Sequence, residues 1–277
     1  VKLTRKIQSL SIIFRTNTNI EIWDQNKKRI FEKPKIEYAL RCLNSLIKSI
    51  KKVKEQKPDT LIKFQVIDDN SNDESLKKLK DLINSNSIDC EIIHHNNSEH
   101  KEKIAAENNQ ETFGNLSSLL KCFEIAKKEQ SDLIYFVEDD YLHYDHSLVD
   151  MLDTYERISS QHKDEIIICP SDYPFNYMTN EKTNILIGSQ QHWRIITKML
   201  CTFMISKKMF QKHINNFEKT CEKRHDPFEK YLNEVLQKEI AISPIKSLAI
   251  HLTNVNSSYG LSPFIDYKKL WDENKVK

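Results

Sequence analysis

Apolar residues follow two rhythms along this chain. Short, nearly unbroken runs at 10–14, 62–67, 88–93 and 133–137 suit strands buried on both faces. Between them the spacing turns helical. Ile36, Leu40, Leu43, Leu46, Ile47 and Ile50 share one face, with lysines largely on the other. Leu76, Leu79, Leu82 and Ile83 repeat the pattern, as do Leu116, Leu119, Leu120, Phe123 and Ala126. Pro34 precedes the first helix, Ser71 or Asp73 is placed to cap the second, and Asn115 or Thr112 to start the third. Strands alternating with helices as crossovers predict an α/β fold with a largely parallel sheet.

The rhythm changes near residue 145. Ser147 opens a helix carrying Leu148, Met151, Leu152, Tyr155 and Ile158, and 165–169 reads as a short strand. Residues 193–205 alternate as one antiparallel strand would. Ser206 caps a helix with Met209, Phe210, His213, Ile214 and Phe217, and Asp226-Pro227 opens another with Phe228, Tyr231, Leu232, Val235 and Leu236. A last extended segment, 240–252, contains His251. The tail from Thr253, punctuated by Gly260 and Pro263, reads as a flexible loop. The expectation is one domain in two halves, 1–144 and 145–252, followed by the tail 253–277.

Composition narrows the chemistry. Hydrophobic residues make up 39% of 277 and charged residues 30%, enough for a sizeable core. A net charge of +2 is too near neutral for nucleic acid or a membrane to be the main partner. With 3 glycines there is no Gly-rich phosphate loop, so phosphate must be held by metal, cationic side chains or helix N-termini. The 6 cysteines form no CxxC pair, which argues against zinc and favours a reducing, cytoplasmic setting. No stretch is long enough to span a bilayer. A peripheral place at the membrane stays open, as does a removed upstream signal or anchor, since the chain starts at Val1.

Two strand ends carry acids. The run 133–137 leads into Glu138-Asp139-Asp140, and 62–67 into Asp68-Asp69. In a doubly wound sheet both clusters face one edge, where such sheets bind ligands. Adjacent carboxylates repel unless a cation shares them, and a hard divalent metal holding a phosphorylated ligand resolves that. The competing reading is a solvated acidic turn.

The order strand, polar loop, helix, strand, Asp68-Asp69-Asn70-Ser71-Asn72, and then Leu133 through Asp140, resembles the GT-A fold nucleotide-sugar glycosyltransferases, family 2 in particular. The resemblance covers the chain to about Tyr144 and weakens beyond. It implies a Rossmann-like, mixed sheet flanked by helices, with a smaller antiparallel portion on the acceptor side. By resemblance, Asp69 reads the nucleotide base, and an acceptor carboxylate there selects uracil or guanine. Thr16 is similar to a loop contact to base and ribose. Glu138 and Asp140 stand as the DxD motif, written here Glu-x-Asp, with Asp140 on Mn²⁺ or Mg²⁺ and Asp139 on the ribose or the metal's waters. His251 is similar to a third metal ligand, or is an ordinary polar residue. The segment 254–260 after it would close over the donor.

The implied activity is transfer of a sugar from a UDP or GDP sugar to a hydroxyl of a glycan, lipid-linked or protein acceptor, inverting with an Asp base. Asp226 is the candidate base, with its plain capping role compatible, and Glu229 and Asp172 are held in reserve. Arg194 and Lys198 share strand parity and are candidates to neutralise diphosphate, or else line a solvated face. Tyr173, Phe175, Tyr177 and Trp193 offer rings for a sugar, or simple packing. A nucleotidyltransferase of related fold would carry a Gly-rich basic loop after the first strand, which is missing. A receiver-like reading of Asp68-Asp69 leaves the second acid cluster unexplained. A carbohydrate- or protein-binding domain that kept the fold without catalysis is the remaining alternative.

Overall fold

A computed structural model describes residues 2–19, 29–104, 107, 109–178, 180–253, 257–262 and 264–276. In chain order the elements are β1 (Ser9–Thr16), α1 (Lys35–Gln56), β2 (Leu61–Asp68), α2 (Asp73–Ser85), β3 (Glu91–His94) and a 3-10 turn at Asn97–His100. Then come α3 (Gln110–Lys128), β4 (Leu133–Glu138), β5 (Tyr141–His143), α4 (Ser147–His162), β6 (Ile167–Ile168) and a second 3-10 turn at Pro174–Tyr177. The rest is β7 (Ile185–Ile187), β8 (His192–Ile195), β9 (Phe203–Ser206), α5 (Lys207–Lys212), α6 (Ile214–Thr220), α7 (Lys230–Leu236), β10 (Ala241–Pro244), β11 (Ala249–His251) and α8 (Tyr267–Glu273).

The main sheet runs β3-β2-β1-β4-β9-β6-β10-β8-β7, and β5 pairs with β11 in a second, antiparallel sheet. The first four strands are parallel, as the strand–helix alternation requires. Beyond β4 the pairing is mixed: β9 is antiparallel to β4 and β6, β10 is parallel to β6, and β8 is antiparallel to β10 and β7. The mixed, largely parallel fold class holds. Leu10, Ile12, Ile13 and Phe14 of β1 and Leu133 to Val137 of β4 are buried, as the unbroken apolar runs demand.

Phe123 of α3, Phe136 of β4, Phe203 of β9, Phe210 of α5 and Phe217 of α6 share one aromatic cluster with centroid separations of 4.9–6.0 Å. The cluster crosses residue 145, so both halves bury rings in the same core. Each such ring contributes roughly 1.5–3 kcal/mol by burial.

Several local expectations change. Asn72, not Ser71 or Asp73, caps α2 by accepting from the Ser75 N–H, and Asn109 caps α3 through the Thr112 N–H. Ser206 caps α5 as expected, accepting from the Met209 N–H. The alternating stretch 193–205 is two strands, β8 and β9. Between them the Ile196 N–H still bonds Ala241 of β10, and beyond it the chain leaves the sheet, where the Met199 N–H bonds the Asn233 side chain. The tail is not loop throughout. In α8, Trp271 is buried, stacks on Phe31 at 4.2 Å and lies 4.3 Å from the Arg41 guanidinium. Its carbonyl accepts from Arg41 at 2.6 Å, which pins the tail to α1. Among the described residues no helix is long and apolar enough to cross a membrane.

Candidate active site

Parallel register brings the chemistry to one edge. Thr16 ends β1 opposite Asp68 of β2, and Arg15 lies opposite Glu138 of β4. The Asp69 N–H donates to the Thr16 carbonyl at 2.9 Å, which fixes the turn after β2 against the end of β1. A cleft of about 200 Å³ opens there, lined by Thr16, Asn17, Asp69, Asp139 and Asp140 together with Arg15 and Lys35. The two acid-tipped strand ends thus share one cleft.

Asp139 is held from three sides. The Thr16 hydroxyl donates to it at 2.8 Å, the Asn17 N–H at 3.2 Å, and the Lys35 ammonium pairs with its other oxygen at 2.5 Å. Burial works against the charge of Lys35, but Asp139 and Asp140 outweigh it and hold its pKa above the ordinary lysine value. Asp69 accepts from Asn17 at 3.4 Å and from Asn70 at 3.1 Å. Burial raises the pKa of Asp69 against those amides and Arg15.

Glu138 is paired with Arg15 at 2.5 Å. Arg15 also donates to the Asn115 carbonyl and side chain and to Ser118. Burial pushes the Glu138 carboxyl up, with Arg15 partly offsetting it. Asp140 goes the other way. Burial opposes its charge, yet His251, Lys35 and Arg15 hold it well below the usual carboxylate range.

His251 reaches the site through the second sheet. Opposite Tyr141 in the β5–β11 pairing, its ring stacks on that tyrosine at 4.8 Å, with Nε2 3.3 Å from Asp140 Oδ2. Its Nδ1 meets the Tyr259 carbonyl at 2.8 Å and must be the donor there. The lone pair of a neutral ring at Nε2 then faces a carboxylate oxygen, an arrangement that calls for a proton or a cation between them. Asp140 Oδ1 is buried with no hydrogen-bond partner. An imidazole oriented by a carbonyl, beside a carboxylate with spare lone pairs, suits a divalent ion such as Mn²⁺ or Mg²⁺. Asp140 and His251 therefore fit the metal. Glu138 lines the same cleft with one oxygen, Oε1, paired to Arg15, and among the described residues no three His, Cys, Asp or Glu side chains form a ready cluster.

Three expectations are corrected. Arg194 does not line the cleft. It is buried on β8, 3.8 Å from Asp172 and over the Tyr177 ring. Lys198 lies over the Phe175 ring and does not line the cleft either. Arg15 and Lys35 are the cations at the cleft, and sequence reasoning passed over both. Finally, Asp226 is exposed and does not cap α7, whose N-cap is Glu229. Burial pushes the Glu229 carboxyl up to about 7, with Glu138 raising it further and His251 lowering it, so Glu229 feels the site's field. Part of the segment proposed to close over the donor, 254–256, and Pro263 of the tail lie outside the described residues.

No family model matches the chain, and no curated protein sequence does. Solved structures overlap with it. S. aureus TarS is 15% identical with a TM-score of 0.48, over 87% of this chain and 36% of TarS. Glucosyl-3-phosphoglycerate synthase from Mycobacterium tuberculosis is 7% identical with a TM-score of 0.42, over 88% of this chain and 72% of its own. A UDP-glucose pyrophosphorylase complexed with UDP-glucose is 8% identical with a TM-score of 0.41, over 95% and 96%. The chain thus spans little more than a third of TarS. Overlaps at these scores carry no argument about residues or reaction.

Proposed function

We propose that the chain is a metal-dependent glycosyltransferase that takes its sugar from a UDP or GDP sugar. The observation that carries the reading is the shared cleft, where Asp69, Asp139 and Asp140 meet Arg15 and Lys35 at one sheet edge. In this reading Asp69 accepts the imide N–H of uracil or guanine, and Thr16 packs beside the ribose. Lys35 and Arg15 face the diphosphate. Asp140 and His251 would hold Mn²⁺ or Mg²⁺, which supplies positive charge against the leaving phosphate oxygen.

The acceptor hydroxyl oxygen bonds to the anomeric carbon as the carbon–oxygen bond to the phosphate breaks. The electron pair leaves with the nucleoside diphosphate. The hydroxyl proton goes to Glu229, which stands outside the residues lining the cleft but within the field of Glu138 and His251, with its carboxyl pushed up to about 7 by burial. The exposed Asp226 is the weaker candidate for that role. Attack from the face opposite the phosphate would invert the anomeric configuration. The acceptor is a glycan, lipid-linked or protein hydroxyl.

The test is a melting-temperature panel with UDP, GDP and CDP, with and without Mn²⁺, followed by hydrolysis assays on UDP and GDP sugars. Selective stabilisation by UDP or GDP with the metal, and hydrolysis lost in Asp140→Ala, is the expected result. A folded chain that no nucleotide stabilises would end the proposal. Stabilisation without turnover would favour the binding-domain alternative.

A further inference from the structure

Away from the acid cleft, unpaired polar atoms gather at one place on the acceptor side. Asp172 is 3% exposed and Arg194 8%. Asp172 Oδ1, Arg194 Nε and Asn176 Nδ2 are all buried without a hydrogen-bond partner. Arg194 Nη2 stands 3.8 Å from Asp172 Oδ1, too far for a direct hydrogen bond. Its Nη1 reaches the Asn176 carbonyl at 3.4 Å. The Tyr177 hydroxyl donates to the other oxygen of Asp172, and the Arg194 guanidinium covers the Tyr177 ring at 4.3 Å. Tyr177 nonetheless stays 51% exposed, so the ring has open surface beside the unpaired atoms.

Leaving a buried polar group without a well-formed hydrogen bond is costly, and burial raises the Asp172 carboxyl although Tyr177, Arg194 and the facing Asn176 amide oppose it. Charge decides what would relieve the cost. Asp172 and Arg194 sum to zero, so phosphate or sulfate gains little over water here. A sugar hydroxyl both donates and accepts. It would give its proton to Asp172 Oδ1 while taking one from Arg194 Nε or Asn176 Nδ2. The open Tyr177 ring offers an apolar face to the C–H groups of a pyranose.

The cluster is also linked to the reaction centre through neighbouring residues. The Tyr173 hydroxyl, one residue after Asp172, bonds the Tyr141 hydroxyl at 2.6 Å, one residue after Asp140. Phe175 stacks on Tyr259 at 5.3 Å, and the Tyr259 carbonyl holds His251. These contacts tie the segment that carries Asp172 and Asn176 to Asp140 and His251.

We propose that Asp172, Asn176, Tyr177 and Arg194 form a subsite for a neutral saccharide, the acceptor of the transfer; its role as acceptor rests on the glycosyltransferase reading above. The test is saturation-transfer NMR on the full chain, without nucleotide or metal, against maltose, lactose, cellobiose, chitobiose and mannobiose. At least one should bind, and binding should weaken by roughly tenfold or more in Tyr177→Ala and Asp172→Asn. Tyr177→Ala alters a half-exposed ring, so it keeps the test decisive if Asp172→Asn does not fold. No binding to the wild-type chain, or equal binding to folded variants, overturns the subsite. The nucleotide melting panel runs beside it. A nucleotide shift without saccharide binding removes the subsite alone. Saccharide binding that the variants lose, with no nucleotide shift, keeps the subsite and removes the transferase reading.

Discussion

The donor edge and the acceptor side treat buried polar groups in opposite ways. Where β1, β2 and β4 end, charges are already matched: Arg15 with Glu138, Lys35 with Asp139, and Asp69 with the amides of Asn17 and Asn70. Among the carboxylates of that edge, Asp140 keeps an oxygen, Oδ1, buried and bare. Along β8, Asp172, Arg194 and Asn176 each leave an atom unpaired within a single cluster. The difference follows from strand length. Eight-residue β1 and β2 run in continuous parallel register, so each delivers its last residues to a defined neighbour. β6 has two residues and β8 four, so Asp172 and Asn176 sit in the connection after β6 while Arg194 comes from β8 itself. The donor edge is a preformed charge cradle, while the acceptor side is polar surface that a ligand would complete.

The largest effect should come from the bare atom. Asp140→Ala should lower nucleotide-sugar turnover by about 10³-fold or more, since it removes the carboxylate that would hold the leaving-group cation. The melting temperature of the nucleotide-free chain should fall modestly, because His251 and Lys35 lose the carboxylate that they hold in its charged form. Full activity in Asp140→Ala would mean that the donor edge is not the reaction centre. A chelator such as EDTA should reproduce the loss in the wild-type chain, with recovery on adding Mn²⁺.

The seam between the two regions should respond to acid. His143 is buried on β5, accepts from the Tyr135 hydroxyl at Nε2 and donates from Nδ1 to the Tyr141 carbonyl, so it is neutral. Burial lowers its pKa to about 4, against the ordinary histidine value of 6.5. Below about 6.5 the unfolded chain takes up a proton that the folded chain refuses until about 4. Stability should therefore be complete above 6.5 and fall as pH drops toward 4, by on the order of 3 kcal/mol in total. Urea unfolding at neutral pH and near pH 4.5 measures this. His143→Gln should flatten the slope, and an unchanged slope would show that the seam does not open to solvent on unfolding.

Next is the base. Glu229→Gln should cut transfer by roughly 10²-fold, within the usual range for losing general-base help. In the wild-type chain the rate should rise with pH through about 7 as Glu229 ionises, and that limb should vanish in Glu229→Gln. Asp226→Asn should lose far less. The reverse ranking would return the role to Asp226 and move the acceptor hydroxyl toward solvent.

The donor edge was legible because its logic is local and repeated. An apolar run ending in acids reads the same in β2 and β4, and parallel pairing then puts Asp69 and Asp140 on one edge. Ser206 as a cap was legible for the same reason. What stayed hidden depends on partners far along the chain. Trp271 sits in a polar tail, and Phe31 and Arg41, which bury it, lie more than two hundred residues away. The alternation at 193–205 fits one strand as well as two, and it breaks where the Met199 N–H turns to the Asn233 side chain. Pro227 gave a helix-start signal, yet α7 begins at Lys230, which is why Asp226 drew attention that Glu229 earns by burial.

Lys35 shows most clearly what a pattern cannot reveal. It is one lysine among many, at the first position of α1, where the positive end of the helix dipole disfavours it. Glu37 in the same turn does not neutralise it, being paired with Arg41. Asp139 does, from the far side of the sheet edge, by pairing with the ammonium. A cation kept in an unfavourable place by an acid of the cleft is well placed to shift part of its charge to an incoming diphosphate. Lys35→Met should raise the donor KM by roughly tenfold with a smaller change in kcat, because the contact is made to bound donor and transition state alike. It should also sharpen the contrast between the two regions: saccharide binding at Tyr177 should be untouched, since the acceptor cluster draws none of its charge balance from the cleft. An equal loss of kcat and kcat/KM in Lys35→Met would instead assign Lys35 to charge that develops only as the sugar–phosphate bond breaks.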